Sequence, residues 1–538
     1  MRAIKFAARA ALFAGILIYA PLLLAVEPAP ATDDGTGART FVVAIDSFNA
    51  LDPQSPDTLN ARLAYARFLI KLEGADCQTH LDEAQGQLDV ATADRAFAVV
   101  IPSGLALAAD IEYQLHLARA SCGAGATVRD LELHAALESA QRAVALYRDD
   151  FDAVSMVTMQ FNVAFAYHNL GDAAAAAAAL RTTLDWDREY GFADDAEDNY
   201  ELLLQWSNED AGSVRVEALM QDFPQRSATL SFGWTEGDST LTLQSDISQF
   251  AGADSVHFQV SRAAQRQVRR GWSSWLVSYQ LGEPRFEFDG LPTSERVEEP
   301  LADSLAHILL HFHDFRLKHN GDFQEDKGDY RFESRTRADA KVLARDLSAL
   351  SPDSKRGRLT PLARRLEAAV RDMLLPVTEA QTAEEYNLET GTWIGATLEQ
   401  GVWYDMTAAL LLPLAPQLFV THKIQFTYSR SVPCLPGAAE LSCIEIVLRA
   451  IPDPDVVKAG LDTLARSSHV ANGRVRRLWS VTTMRLVTDP ATLRTYTRET
   501  RWHAYWSNGV SGPGQSLLES GRTIESMSAP TPTPDGPR

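Results

Sequence analysis

The 538-residue chain is 46% hydrophobic and 22% charged, and its net charge is −21. That length exceeds what one core holds, so two or three domains of about 100–200 residues are expected. The acidic balance excludes a general nucleic-acid binder, because such affinity rests on Lys and Arg neutralising phosphates.

Met1, Arg2, Lys5 and Arg9 precede an uncharged run from Ala10 to Val26, then Glu27 and Pro28-Ala29-Pro30-Ala31. A basic start, an apolar middle and an Ala-x-Ala exit are the parts of a secretory signal, so residues 1–31 read as a signal peptide cleaved after Ala31. The alternative is an inner-membrane anchor over residues 10–26, at the lower limit of the about 17–25 residues that span a bilayer. Gly15 and Pro21 weaken that span, and no cysteine precedes Cys77 for lipid attachment. Either way the bulk is exported, periplasmic or secreted, and its cysteines are able to form disulfides. Cys434 and Cys443 bracket a short loop between strand-like runs, where a bridge closes a hairpin. Cys77 and Cys122 then pair by elimination. The chain has no Cys-x-x-Cys motif, which favours structural bridges over redox ones.

Residues 32–222 form a helical, alanine-rich domain, with the pattern plainest from Asp57 to Trp206. Leu133, Ala136, Leu137, Ala140, Val144 and Tyr147 follow the i, i+3, i+4, i+7 spacing of an amphipathic helix. Phe161–Leu170 then leads through Gly171-Asp172 into an alanine run and Leu180. Gly171 suits a left-handed helix end and Asp172 an N-cap, so two antiparallel helices are expected, with Ala164 and Ala176 permitting close approach. Val163, Ala164, Tyr167, Gly171, Ala176 and Leu180 stand at the spacing of a tetratricopeptide repeat, which this hairpin resembles. Gln160, Thr183 and Arg188 depart from that pattern. Two looser copies run through Asn60–Leu88 and from Ile111 onward, with turns spaced wider than the repeat's period of about 34 residues. In this register Cys77 and Cys122 each follow the first helix of successive hairpins, which supports their pairing. The resemblance implies a concave surface for a protein or peptide partner, with contacts from the inner helices. Their positions nominate Tyr65, Arg67 and Lys71, then Tyr113 and His116, then Asn162 and His168.

After Pro224 the pattern becomes one of strands and turns, a mainly antiparallel β region over residues 225–526. Ala228–Leu243 reads as a hairpin turning at Glu236-Gly237-Asp238. Further strand-like runs are Val256–Ser261, Trp275–Tyr279, Phe312–Lys318, Tyr330–Arg335, Leu418–Tyr428, Ile444–Arg449, Val475–Val487 and Leu493–Trp506. Helical insertions are expected at 336–349 and 360–374, and a disordered tail over 527–538. The fold class is therefore α+β multidomain.

Catalytic signals are sparse. His307, His311, His313 and Asp314 are the densest set of metal-ligand types, but no regular element puts all four on one side. His-Glu-x-x-His, Gly-x-Ser-x-Gly, phosphate-loop and dinucleotide motifs are all absent, so no cofactor is implied and Ser511 reads as a turn residue. The last strand pair is locally basic and aromatic: Arg474, Arg476, Arg477, Arg485, Arg494, Arg498 and Arg501 lie among Trp479, Trp502, Tyr505 and Trp506. Arg485, Arg498 and Trp502 would suit an anionic ligand through charge-assisted hydrogen bonds and stacking; the competing reading is a solvated sheet face. The neighbouring strands resemble the curved antiparallel sheets of periplasmic lipid or lipoprotein carriers. The leading reading is an exported, non-enzymatic scaffold for a protein or peptide partner. The alternatives are a carrier or sensor for a lipid or anionic ligand in the β region, and a metal-dependent hydrolase built on the histidine cluster.

Overall fold

The computed structural model describes residues 36–51, 56–72, 76–93, 103–122, 125–207, 226–251, 254–282, 285–289, 315–324, 383–412, 415–437, 442–453, 456–457, 459, 477–507 and 516–527. The signal segment, the histidine cluster at 307–314, the strand at 330–335, the insertions at 336–374, Ser511 and the tail from 528 onward lie outside them. The chain divides into two compact units. The first takes the described residues up to 184 together with 199–207, and the second takes 185–198 and those from 226 onward.

The helices are α1 Thr36–Leu51, α2 Pro56–Ile70, α3 Cys77–Thr92, α4 Gly104–Ser121, α5 Ala126–Asp149, α6 Ala153–Asn169, α7 Ala173–Tyr190 and α8 Ala193–Ser207. Helix α1 is additional to the sequence reading. Neighbours pack in chain order, α1 on α2, α2 on α3, α4 on α5 and α5 on α6. The periodicity read in α5 is its packed face: Leu133, Ala136, Leu137, Ala140, Val144 and Tyr147 are all buried. Between α6 and α7, Gly171 adopts a φ of +79° and the Asp172 carboxylate accepts the Ala175 N–H at 2.9 Å. A side chain at residue 171 would be strained in that backbone, which explains glycine there. Disulfides join Cys77 to Cys122 and Cys434 to Cys443, with Cα separations of 6.2 and 5.0 Å. Both are the pairings read from the sequence, and paired bridges of this kind belong to oxidising compartments. Among the described residues, no helix is long and apolar enough to cross a membrane.

The strands are β1 Ser227–Thr229, β2 Gly237–Ala251, β3 Asp254–Arg270, β4 Ser274–Leu281, β5 Arg285–Asp289, β6 Phe315–Lys318, β7 Thr397–Glu399, β8 Trp403–Leu412, β9 Ala415–Val432, β10 Cys443–Pro452, β11 Arg477–Asp489, β12 Arg494–Ser507 and β13 Ser516–Met527. Strands β1 and β7 form a two-stranded sheet, and the rest form one antiparallel sheet in the order β6-β4-β3-β2-β13-β12-β11-β10-β9-β8, with β5 also on β3. The expected 228–243 hairpin does not form. Residues 237–251 are instead one strand paired along its length with β3, and β1 pairs with β7. The intervening segment gives its backbone elsewhere: the Leu230 N–H donates to the Ala396 carbonyl and the Gly233 N–H to that of Thr492.

Alternation along the strands divides the large sheet into two faces. One carries Ile444, Ile446, Leu448, Met484 and Leu486, covered by Leu230, Leu388, Trp393 and Leu398. On the same face Val268, Val277 and Leu317 pack under Trp234 and Tyr386. The opposite face carries Glu445, Arg485 and Glu499.

Candidate functional site

Several of the inner-helix residues nominated as a binding surface contact neighbouring helices. Tyr65 and Tyr113 are each only 3% exposed, and burial pushes both phenols well above their ordinary pKa. The Tyr65 hydroxyl donates to Glu83 of α3 at 2.7 Å, and Arg67 meets Asp110 of α4 at 2.6 Å. His116 Nδ1 lies 2.6 Å from Glu132 of α5. Asn162 donates to the Met159 sulfur at 3.3 Å, and the His168 ring stacks on Trp206 at 4.3 Å. Lys71, at the end of α2, is exposed. A partner meeting this surface would therefore find Lys71 and His168, but not the two buried tyrosines.

The arginine–aromatic cluster read at the C-terminus is divided by the sheet. Arg485 pairs across the ladder with Glu499, and Arg498 with Leu486, so Arg485 and Arg498 point to opposite faces. On its face Arg485 Nε donates to Glu445 at 2.8 Å, and Arg430 reaches the same carboxylate at 3.3 Å. Glu499 is held likewise, by Arg501 at 2.8 Å and Arg522 at 2.6 Å. Those arginines are already matched by buried carboxylates. Trp502 stands opposite Gly521 in β13, where a Cβ would come 1.9 Å from its ring. The indole thus lies flat on the glycine, a packing role that needs residue 521 to lack a side chain.

The other face holds a buried ionic cluster. Residues 383–389 are helical, which sets Glu385 and Glu389 one turn apart on one side. Both reach Arg498, at 3.5 and 3.7 Å, and Glu525 of β13 is ion-paired with it directly. Burial opposes the Arg498 charge, but the three carboxylates outweigh it and raise its pKa. Three acids around one base leave an excess negative charge. Burial, with Glu389 and Glu385 adding to it against the pull of Arg498, pushes the Glu525 carboxyl up to about 7.

Beside this cluster lies Arg266, 5% exposed, with its guanidinium carbon 4.9 Å over the Trp234 ring. One of its terminal nitrogens approaches the Met527 sulfur at 3.2 Å, and its Nε has no hydrogen-bond partner among the described residues. Arg494 is a second cation nearby: burial first, and then the Arg266 charge, pull its pKa below the ordinary value. The surrounding side chains on this face are Leu241, Leu243, Ala264 and Tyr279. Burial raises the Tyr279 phenol, which the charges of Arg266, Glu389, Glu525 and Arg498 all reach.

The sequence named Arg494 and Arg498 from this group. Arg266 had a signal of its own, because Ala264, Arg266 and Val268 share the register of an otherwise apolar face in β3. Glu385, Glu389 and Glu525 had none, because the first two, one turn apart, lie more than a hundred residues from Arg498 and Glu525. Among the described residues no group of His, Cys, Asp and Glu is arranged to hold a metal ion.

No known protein family matches the chain, and no curated protein does. A solved structure described as "lipid-protein interactions in lipovitellin" is similar at a TM-score of 0.27 and 5% identity, over 57% of this chain and 26% of that one. The chain thus spans about a quarter of that protein's length, and at this score the likeness assigns neither fold nor ligand.

Proposed function

We propose that this is an exported, non-enzymatic binding protein whose β unit holds an anionic amphiphile, such as a lipid, at Arg266 on the apolar face of the sheet. The observation that supports this reading is Arg266: a buried cation whose described contacts are a thioether and an indole. A buried guanidinium nitrogen without a hydrogen-bond partner carries a desolvation cost that a bound anion would offset. Trp234, Leu241 and Leu243 beside it suit an apolar tail. Native mass spectrometry of the purified full chain tests the reading. A released anionic lipid is expected with the wild type and not with Arg266→Met, at unchanged far-UV circular dichroism. A bare polypeptide mass that stays bare after incubation with palmitate and phosphatidylglycerol refutes it.

The helical unit supports a second reading, a tetratricopeptide-like scaffold for a protein or peptide. Leu131 and Val128 stand one turn apart on α5, 68% and 52% exposed, an apolar pair that a partner would cover. A pull-down with the full chain should lose a specific partner when Leu131→Asp is introduced. Equal recovery with both proteins rejects that surface.

A further inference from the structure

At one end of the large sheet β3 turns into β4 through Gly271–Ser274, closed by the Gly271 N–H donating to the Ser274 carbonyl at 2.7 Å. Trp272 at the tip is 102% exposed, so its indole stands wholly in water. The turn after β6 lies alongside, because Ser274 pairs with Lys318 across the β4–β6 ladder. His319 fixes the two tips together, with a ring nitrogen 3.0 Å from the Trp272 carbonyl oxygen. The second turn is closed by the Gly321 N–H on the Lys318 carbonyl at 2.9 Å.

Arg269, Arg270, Lys318 and His319 are exposed around these tips, with Arg316 half-buried behind them. The described acids at the same end are Glu236 and Asp238, at the start of β2, and Asp322, 3.5 Å from Lys318. Among the described residues, four fixed positive charges against three negative ones leave a small local cationic surplus in a chain of net charge −21. Tryptophan leaves water most readily for the boundary between headgroups and acyl chains, where its ring is buried and its N–H stays wet. Arginine and lysine beside it are drawn to anionic lipid. Among the described residues no second large apolar side chain near the tip is exposed, so the contiguous apolar patch of a protein interface is missing.

We propose that this double turn docks the protein on an anionic bilayer, with Trp272 entering at headgroup depth and Arg269, Arg270 and Lys318 facing lipid phosphates. The inference does not depend on the ligand reading above. Its test is co-sedimentation of the full chain with phosphatidylcholine vesicles, with and without phosphatidylglycerol. The wild type should bind only the anionic vesicles, release in high salt and shift its tryptophan emission to the blue. Trp272→Ala should remove most of that shift. The double variant R269S/R270S should weaken partitioning by about 25-fold, at roughly fivefold per charge. All three positions are exposed, so far-UV circular dichroism should be unchanged. Failure of the wild type to bind anionic vesicles, or binding that Trp272→Ala leaves intact, overturns the proposal.

Discussion

Glu525→Gln should remove a pH dependence of stability that the wild type carries. In the folded protein the Glu525 carboxyl is raised from 4.5 to about 7. Its proton is therefore held more tightly folded than unfolded. The stability this contributes is complete below about pH 4.5 and is lost as pH rises through about 7. The interval of about 2.5 units, at about 1.36 kcal/mol per unit, amounts to about 3 kcal/mol. Glutamine mimics the protonated acid at every pH, so the variant escapes that loss. His422 works in the opposite sense, since burial lowers its pKa and acid then destabilises the fold, but it is common to both proteins and cancels in their difference. Urea unfolding followed by tryptophan emission, at pH 5 and pH 8, measures the effect. Because part of the loss has already occurred at pH 5, the variant should gain about 2.5 kcal/mol on the wild type between the two conditions. A difference that stays constant across this range would mean that Glu525 is ionised throughout, and the argument from burial and the two neighbouring carboxylates fails.

Arg498→Met should cost about 3–5 kcal/mol at pH 8, because it leaves Glu385, Glu389 and Glu525 without their shared cation; the same urea titration reads it. Gly521→Ala should expel the Trp502 ring, lowering stability by about 1–3 kcal/mol and altering the near-ultraviolet circular dichroism. The Cys77–Cys122 bridge spans 45 residues and Cys434–Cys443 spans 9. Loop-closure entropy then predicts losses of about 4 and about 2.6 kcal/mol for the paired alanine variants. An equal or inverted ranking by thermal melting contradicts that entropic account.

The helical half was legible where neighbouring residues decide structure. The α5 stripe from Leu133 to Tyr147, and the Gly171-Asp172 turn, depend on periodicity and local backbone preference, both written within a few residues. Position on a helix could not tell a partner-facing residue from a packed one. Tyr65 and Tyr113 show this, since the neighbouring helices that bury them are separate segments. In the sheet, strand runs such as 444–449 and 475–487 were readable by alternation, but pairing was not. The long strand at 237–251 looked like half of a local hairpin until its full-length ladder with β3 was seen.

Composition and spacing by themselves determined an α+β chain with two structural disulfides, because apolar periodicity and cysteine positions are properties of the linear chain. Only the tertiary structure decided which charges meet. Register sends Arg485 and Arg498 to opposite faces, and folding gathers Glu385, Glu389 and Glu525 around one buried arginine. It also stacks Arg266 on Trp234 beside that cluster and leaves Trp272 in water. Those outcomes follow from long-range pairing and desolvation, which depend on distances between residues far apart in the chain.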